Sequence, residues 1–370
     1  MPQIEPGQGE AHTEDLAWLH EMLEGIFVIE DVTMGTMGGR AIRLRGRFTV
    51  DTARAYERLA PLCRARGRTL MFRRDGEDMV ILIVQGIIRP TPNNRWLPIA
   101  LAAATILSVL FVFSISGGAK EFTLWGILKG MLDGWAFALS LLGILVAHEL
   151  GHYFTARHFG VAVTLPYLIP FPLSPFGTLG AVIRMKDIPP SKRAMLMIGA
   201  AGPLVGLAVA IPVLLLGLSR SPVLPPRSGA WMEGNSLVYA GLKYLVFGRW
   251  LPTLQEDVWL DPIAFAGWAG LLVTSLNLIP AGQLDGGHVV HALLGDKARY
   301  LKWGVISALL ILGIWWRTWW LWAALIFVFS RVDVRPMDDV SPLTPREKAI
   351  AIGLMVIFAL TFTLVPLRPI

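Results

Sequence analysis

Two histidines and a glutamate fall within five consecutive residues, His148-Glu149-Leu150-Gly151-His152. On an α-helix, residues four positions apart project from nearly the same face, so His148 and His152 can bind one zinc ion through their imidazoles. Glu149 lies on the shoulder of that face, where its carboxylate can take a proton from a zinc-bound water. The pattern predicts the centre of a zinc peptidase, with Glu149 as the catalytic base.

A catalytic zinc site usually has three protein ligands and leaves the fourth position to water, so a third ligand is needed. In some zinc peptidases it is a glutamate on a following helix, but no glutamate occurs between Tyr153 and Met232. In others it is a histidine at the position of His158. Here Thr155 replaces the glycine that would turn the chain, and on a continued helix His158 points away from the other two. We therefore favour a helix-end role for His158.

A better candidate lies in residues 277–288, which read NLIPAGQLDGGH at the end of an uncharged stretch. Pro280 and Gly282 are expected to break a helix there. Non-helical backbone at membrane depth is tolerated only where it is buried in protein or lines a watery cavity. An aspartate at membrane depth is unexpected unless it has a function, and binding zinc as the third ligand would explain Asp285.

The composition indicates a membrane protein. Charged residues make up 16% of the 370 positions, against about 25% in a typical soluble chain. Hydrophobic residues make up 54%, there are 14 tryptophans, and the mean hydropathy is +0.56. The single cysteine, Cys63, excludes an intramolecular disulfide. The net charge of +6 fits basic loops that orient membrane helices. The sequence lacks a basic patch interleaved with aromatic residues, so we expect no nucleic-acid partner.

We predict a mostly α fold of two domains: a soluble α/β domain over residues 1–93, and a membrane-embedded metalloprotease domain over residues 94–370. Charges recur every few positions in the first domain, and its apolar spacing predicts the order α-β-β-α-β-β. No catalytic spacing occurs in it, so a regulatory role and a folded domain of unknown partner are both open. Its predicted elements are a helix over 14–25, strands over 26–31 and 41–50 joined through Gly35, Gly38 and Gly39, a helix capped by Asp51, and a hairpin across Asp75-Gly76.

The second domain is predicted to be a polytopic helical bundle of about seven spans, since about 20 apolar residues cross a bilayer. The two short stretches before the C-terminal span, 303–316 and 318–330, meet at Arg317 in a Trp-rich cluster that suits a membrane interface, and we expect them to form a tight helical pair. The predicted spans cover residues 96–119, 124–158, 194–219, 262–284, 303–316, 318–330 and 349–367.

Lysines and arginines near the helix ends predict the orientation. The loop after the motif carries five of them, so that side and the N-terminal domain are expected in the cytoplasm. The N-terminus lacks the pattern of a secretory signal. We expect a multi-pass integral protein, in the plasma membrane of a prokaryote, with the motif nearer the cytoplasmic face. The five residues are Arg157, Arg184, Lys186, Lys192 and Arg193.

These residues resemble the site-2 family of intramembrane zinc metalloproteases, which pairs an H-E-x-x-H helix with a distant N-x-x-P-x-x-x-x-D-G segment. The chain has both patterns, at residues 148–152 and 277–286. Residues 199–204 are similar to the family's Gly-Pro element, and residues 176–181 to its G-x-x-G loop. The resemblance covers residues 97–330. It is closest to the plastid and prokaryotic branch with a soluble N-terminal domain, to which the Pro-rich block 336–345 is also similar.

The resemblance implies that His148, His152 and Asp285 bind one zinc ion and that Glu149 activates water. It implies that Asn277 faces the zinc and polarises the scissile carbonyl or stabilises the oxyanion; a helix cap or an interhelical hydrogen bond is equally open for this residue. Packing or support of the site is favoured over metal binding for two further histidines. The segment 177–180 is expected to pair with an unwound substrate. The two histidines are His288 and His291.

The implied substrates are transmembrane proteins, cleaved in or near a membrane segment within the lipid bilayer. Two other functions remain open. A membrane-anchored zinc peptidase acting on soluble peptides would need the motif helix outside the bilayer, although residues 134–147, just before His148, carry no charge. A non-proteolytic zinc-binding membrane protein would leave Glu149 without a task. Other divalent metals can also occupy a site of nitrogen and oxygen ligands.

Overall fold

The structure is a computed structural model that describes residues 17–35, 41–87, 96–118, 121–225, 229, 231–330 and 335–369. These residues form two compact units. The N-terminal unit contains the described residues up to 87 together with Ile188–Lys192 and Arg335–Pro342, and the helical unit contains the others. The predicted boundary between residues 93 and 94 lies outside the described residues.

The N-terminal unit is built on a four-stranded antiparallel sheet with two helices. The strands have the spatial order β1-β2-β4-β3, and the predicted succession α-β-β-α-β-β is confirmed. Residues 14–16 of the predicted first helix, and Gly38 and Gly39 of the predicted turn, lie outside the described residues. The elements are α1 (residues 17–23), β1 (Phe27–Gly35), β2 (Ala41–Phe48), α2 (Thr52–Ala65), β3 (Arg68–Asp75) and β4 (Asp78–Gln85).

Local signals account for these elements. The Asp51 side chain accepts a hydrogen bond from Arg54 N and caps α2, because the first N–H groups of a helix have no partner inside it. Gly76, with φ +64°, makes the β3–β4 turn, in a conformation that glycine adopts without strain. The apolar faces of α2 and the sheet close a core that includes Leu44, Leu59 and Phe72, all buried.

Two segments from later in the chain extend this sheet beyond β3. Asp338 forms parallel bridges with Phe72 and with Ser191. Arg73 Nη1 donates to three backbone carbonyls, those of Phe72, Pro336 and Met337, at 2.8 Å each. The division at residue 93 did not include these segments, which are too short to show a strand period of their own.

The helical unit contains most of the chain, and its described residues form ten α-helices. They are α3 (Trp96–Phe113, continued by a π-helical turn to Gly118), α4 (Leu124–Asp133), α5 (Trp135–His158), α6 (Lys192–Arg220), α7 (Leu237–Phe247), α8 (Pro262–Asn277), α9 (Asp285–Leu294), α10 (Ala298–Leu312), α11 (Thr318–Phe329) and α12 (Pro345–Thr361), of which α4 is amphipathic and short. Three two-stranded ribbons complete the unit: β5 (Tyr167–Pro170) with β6 (Thr178–Val182), β7 (Val223–Leu224) with β9 (Asp257–Val258), and β8 (Trp231–Glu233) with β10 (Leu367–Pro369).

Three helices of the described residues are long and apolar enough to cross a membrane: Trp96–Gly118, Trp135–His158 and Lys192–Arg220, with mean hydropathies of 2.4, 1.3 and 2.3. The fold is mostly helical, with a small sheet-containing N-terminal region, as predicted. The other predicted spans correspond to the shorter helices α8, α10, α11 and α12. The figure of about seven spans therefore stays a prediction.

The prediction of one continuous helix over residues 124–158 was wrong. The helix α4 ends at Asp133 and α5 begins at Trp135. Between them Gly134 lies so close to α3 that a Cβ there would be 2.7 Å from the Phe113 ring. Hydropathy alone did not show this break because both sides of it are apolar. By contrast, the predicted helical pair is confirmed as α10 and α11, joined by a hydrogen bond from Trp320 Nε1 to the Leu310 carbonyl, 3.0 Å.

The helices α5, α6 and α8 form the centre of the helical unit. Gly270 of α8 faces Ile144 of α5, where a Cβ would be 2.8 Å from Ile144 Cδ1. Gly267 of the same helix faces Leu214 of α6, and a Cβ there would be 2.7 Å from the Leu214 Cα. Residues without side chains at these two points let the helices approach closely, as small residues do in membrane bundles. The motif helix α5 therefore packs closely on α8, which in turn packs closely on α6.

Candidate metal centre

The helix α5 presents both motif histidines to the interior of the helical unit. His148 and His152 are 3% and 6% exposed, and their Nε2 atoms lie 3.1 Å apart. The i, i+4 spacing places the two imidazoles one above the other on one face, as the sequence predicted. Two nitrogen atoms that can both serve as ligands therefore point to one position.

A broken helix brings the third side chain to the same place. The helix α8 ends at Asn277 and α9 begins at Asp285, so the predicted helix break at Pro280 and Gly282 is confirmed. Asp285 Oδ2 lies 3.2 Å from the Nε2 atoms of His148 and of His152. Gly286 follows Asp285, and a Cβ on it would overlap the carbonyl group of Leu278. The turn is thus folded back tightly on the end of α8.

The three atoms fit a zinc ion. Their separations of 3.1, 3.2 and 3.2 Å match the edge of a tetrahedron with zinc–ligand bonds near 2.0 Å, which is about 3.3 Å. Two imidazole nitrogens and one carboxylate oxygen are also a donor set that zinc takes in catalytic sites. Within the part of the chain that the structure describes, no other group of three His, Cys, Asp or Glu side chains meets in this way.

A backbone carbonyl of α6 fixes the orientation of one imidazole. His152 Nδ1 lies 2.7 Å from the Ile198 carbonyl oxygen, inside the protein. Because a carbonyl oxygen only accepts, Nδ1 carries the proton and donates it. The lone pair of the ring is then on Nε2, which faces His148 and Asp285. Histidine ligands of metals commonly have such a partner on the other ring nitrogen.

The glycines of α6 make room for the two imidazoles. A Cβ on Gly202 would coincide with the His152 ring, and one on Gly206 would lie 2.9 Å from His148 Nδ1. The adjacent Pro203 leaves the carbonyl four residues earlier, that of Gly199, without its helical partner. The Gly-Pro element of the sequence therefore forms the wall of the candidate centre.

Glu149 belongs to the same helix but lies apart from the three converging atoms. Its side chain is buried, at 6% exposed. Its Oε2 atom accepts a hydrogen bond from the backbone N–H of Ile183, 2.8 Å away. One carboxylate oxygen is thus engaged by a backbone amide, and the other is left for a different partner.

The side chain of Asn277 reaches the candidate centre as well. Its Nδ2 atom lies 3.4 Å from His148 Nε2, although the residue is the last of α8. The amide therefore points to the converging ligand atoms and not along the end of its own helix. This is the position from which an amide could hydrogen-bond a group bound beside a metal.

The other histidines lie outside the candidate centre. His158 is exposed at the last position of α5, in agreement with the helix-end interpretation. His288 follows Asp285 by one helical turn, and its Cβ lies 3.3 Å from the Cβ position of Gly199, so it packs against α6. His291 is likewise in α9 and outside the three-residue group.

The G-x-x-G loop forms part of the β5–β6 hairpin. Gly177 has φ +74° and lies against α3, where a Cβ on this residue would be 2.6 Å from the Val109 Cα. The Gly177 carbonyl accepts a hydrogen bond from Ser108 Oγ, at 2.6 Å. A side chain at Gly177 would meet both a strained conformation and the backbone of α3. The hairpin is therefore held at this glycine, and its second strand, β6, ends at Val182, directly before Ile183.

Two backbone groups that contact the side chains of the candidate centre were not predicted from the sequence. They are the Ile183 N–H and the Ile198 carbonyl, which act through the backbone. Every residue other than proline carries such groups, so no residue type marks them in the sequence. Only the path of the chain next to α5 shows their role.

Comparison with known proteins finds sequence similarity to one peptidase family and to several relatives. The model of peptidase family M50 matches residues 136–312. The protein named "Probable zinc metalloprotease EGY2, chloroplastic" of Arabidopsis thaliana is 27% identical over 296 residues, 77% of this chain and 51% of the relative. The rice (Oryza sativa subsp. japonica) protein named "Probable zinc metalloprotease EGY1, chloroplastic" is 32% identical over 239 residues, 62% of this chain and 40% of the relative.

The chain thus spans about half or less of the length of these relatives. No solved structure matches it. The relatives are named as chloroplastic, which does not support the expected prokaryotic plasma membrane, and the orientation in the membrane likewise stays a prediction. The matched segment contains the motif, the α6 glycines and Asp285. Residues 136–312 of this chain therefore match peptidase family M50, in agreement with the predicted resemblance to the site-2 metalloproteases.

Proposed function

We propose that this chain is an intramembrane zinc metalloprotease that hydrolyses peptide bonds in or near transmembrane segments of other membrane proteins. The observation that carries the proposal is the convergence of His148, His152 and Asp285 on one position beside Glu149. The two histidines and Glu149 belong to a helix that is long and apolar enough to cross a membrane. Zinc peptidases combine three protein ligands with a carboxylate base in this way.

The proposed depth of the site follows from the helix. His148 lies about 20 Å along the axis of α5 from Trp135, at 1.5 Å per residue. That distance is about two thirds of a hydrocarbon core of about 30 Å, and residues 134–147 carry no charge. Ionisable side chains at such depth are costly and are usually functional. A catalytic centre for hydrolysis within the bilayer would explain why ionisable side chains are buried there.

Each residue of the centre has a proposed task. His148, His152 and Asp285 would hold the ion, which when bound lowers the pKa of water and polarises a carbonyl. Glu149 would take the proton of the attacking water and pass it to the leaving amine. The Asn277 amide would donate a hydrogen bond to the oxygen of the scissile carbonyl as negative charge develops on it. The buried surroundings strengthen these interactions because little water competes.

The substrate is proposed to bind in an extended conformation. A peptide bond in a helix is shielded, and its backbone groups must keep partners when the helix opens in a membrane. The strand β6, which ends next to Glu149, would supply those partners by strand addition. The proposed partners are therefore transmembrane proteins and the lipid bilayer, with no nucleic acid, and the release of regulators from membranes would be the biological outcome.

The test is cleavage by the purified chain in proteoliposomes. A substrate with one transmembrane segment and a soluble peptide of the same sequence around the cleaved bond would be compared by mass spectrometry of the products. We expect cleavage of the transmembrane substrate, and its loss on Glu149→Gln with zinc retained. The exposed Glu121→Gln provides a matched control that should stay active.

Other outcomes would decide between the alternatives. Cleavage of the soluble peptide alone would indicate a membrane-anchored peptidase. Unchanged cleavage in Glu149→Gln would remove the protease assignment. Zinc bound stoichiometrically by a chain that cleaves neither substrate would favour a non-proteolytic zinc-binding membrane protein.

A further inference from the structure

The carboxylate of Glu149, the candidate base, is hydrogen-bonded to the backbone at the end of the β5–β6 hairpin. Ile183 is the first residue after β6, and its N–H donates to Glu149 Oε2 at 2.8 Å. Because Glu149 is buried, the bond is shielded from water. A hydrogen bond from a backbone N–H to a buried carboxylate is stronger than one between neutral groups.

The direction of the Ile183 N–H follows from its neighbours in the hairpin. On one side, Val182 pairs with Tyr167 of β5. On the other, Arg184 is tied to Thr164 by two hydrogen bonds, from Thr164 N to the Arg184 carbonyl and from Arg184 N to Thr164 Oγ1. Backbone groups alternate between the two edges of a strand. Ile183 therefore points its N–H to the edge opposite β5, and Glu149 takes that position.

We propose that the Ile183 N–H is a positioning group that orients Glu149 for catalysis and fixes it in register with the strand that receives the substrate. The inference rests on the proposed function. It assigns a catalytic task to the backbone of Ile183, a residue whose side chain has no functional group. With Oε2 held by Ile183, Oε1 is the oxygen that would face the attacking water and take its proton.

The same bond relates Glu149 to a substrate strand. Ala181, two residues before Ile183, presents its backbone groups to the same edge. A peptide added to that edge would pair with Ala181, about 7 Å from the position where Glu149 is bound, at 3.3 to 3.4 Å per residue. Glu149 thus stands at the end of the edge, where an added strand would run into it. The register of the hairpin, and not only the helix, would then set the distance from base to scissile bond.

The first experiment removes the donor. Ile183→Pro deletes the N–H, and Ile183→Val keeps it with a similar side chain. In proteoliposomes we expect kcat of Ile183→Pro to fall by about tenfold or more, the loss typical of a hydrogen bond to a charged group. KM and zinc content should stay at the wild-type level, and Ile183→Val should restore kcat.

Thr164→Val supplies the structural control. It removes the acceptor of the neighbouring Arg184 N–H and so weakens the same hairpin without touching Glu149. We expect a small change in kcat. If Thr164→Val lowers kcat as much as Ile183→Pro does, the bond serves only the stability of the hairpin and the proposal is wrong.

A second measurement does not depend on the proline variant. In the full-length protein labelled with 15N-isoleucine, the Ile183 amide is identified by its absence in Ile183→Val, and its hydrogen exchange is measured. We expect Glu149→Ala to speed that exchange and Thr164→Val to affect it less. Exchange unchanged by Glu149→Ala would overturn the proposal. An inactive wild type would refute the protease assignment instead, since this measurement does not require turnover.

Discussion

The Nδ1 atom of His152 donates its proton to the Ile198 carbonyl, 2.7 Å away on the neighbouring helix. One bond therefore joins the motif helix α5 to α6 and leaves Nε2 of the same ring for a metal. The helix α6 also carries Gly202 and Gly206, whose missing side chains give space to His152 and His148. The placement of the candidate ligand atoms therefore depends on α6, although none of these atoms belongs to α6.

Gly202→Ala tests that dependence. The new methyl group would overlap the His152 ring, so the imidazole must move away from Asp285 and lose its bond to Ile198. We expect zinc affinity to fall by about 10- to 100-fold, the range seen when the outer partner of a ligand is lost. Chelator competition followed by metal analysis measures it.

Gly143→Ala is the matched control for Gly202→Ala. Gly143 is on the motif helix, and a Cβ there has nothing within 4 Å. This variant should bind zinc as the wild type does. Equal zinc affinity in Gly202→Ala and Gly143→Ala would show that α6 does not shape the centre.

Asp285→Ala tests the third ligand. Two imidazoles without the carboxylate make an incomplete site, so the purified variant should lose its zinc on dialysis against a weak chelator. His158→Ala, which changes an exposed histidine of the same motif helix, should retain zinc. If Asp285→Ala keeps a full complement of zinc, the third ligand is another residue.

Prediction from the sequence worked best where the determining contacts are local. His148 and His152 share a face because they are four positions apart, and the break before Asp285 follows from Pro280 and Gly282. Asp51 and Gly76 marked a helix start and a turn for the same reason. In each case a few neighbouring residues contain the physical cause.

Prediction failed where the cause is distant in the chain. The break at Gly134 is associated with the Phe113 ring of α3, and the β-bridge at Asp338 depends on the sheet edge presented by Phe72. Neither partner is marked in the local pattern around the residue concerned. The roles of the Ile183 and Ile198 backbones were missed for the same reason.

Cys63 is predicted to be unreactive in the folded N-terminal unit. Burial raises the pKa of its thiol to about 11, so at pH 8 about one molecule in a thousand carries the thiolate that reacts with maleimides. Labelling should be slow in native protein and complete after unfolding. The single-cysteine variant Cys63→Ala/Arg58→Cys, with its thiol on the exposed face of α2, should label at once. Fast native labelling of Cys63 would mean that the core of the N-terminal unit opens readily.

The same shift predicts a dependence of stability on pH. The folded thiol keeps its proton to higher pH than the unfolded one, whose pKa is near 9. Between these values the unfolded state binds fewer protons, so the free energy of unfolding falls as pH rises from about 9 to about 11. Thermal unfolding of the N-terminal unit should show that fall in the wild type and less of it in Cys63→Ala.

A buried ion cluster in the helical unit gives the last prediction. Lys243 of α7 is fully buried, with its Nζ 3.4 Å from Glu233 Oε1 and 3.6 Å from Asp257 Oδ1. The Tyr239 hydroxyl donates to the same Glu233 oxygen at 2.9 Å. Burial raises the pKa of Glu233, and the ammonium of Lys243 opposes that rise. The cluster joins α7 to the ribbons that contain β8 and β9.

Lys243→Met should destabilise the helical unit by about 3–5 kcal/mol, because it leaves two buried acids without their cation. The double variant Lys243→Met/Glu233→Gln should recover part of that loss, since one uncompensated charge is gone. Lys129→Met, at an exposed position of α4, is the control and should unfold at the wild-type temperature. Thermal unfolding followed by tryptophan fluorescence in detergent measures all three. If Lys243→Met unfolds at the same temperature as Lys129→Met, the ions contribute little, and the packing of α7 alone holds these ribbons.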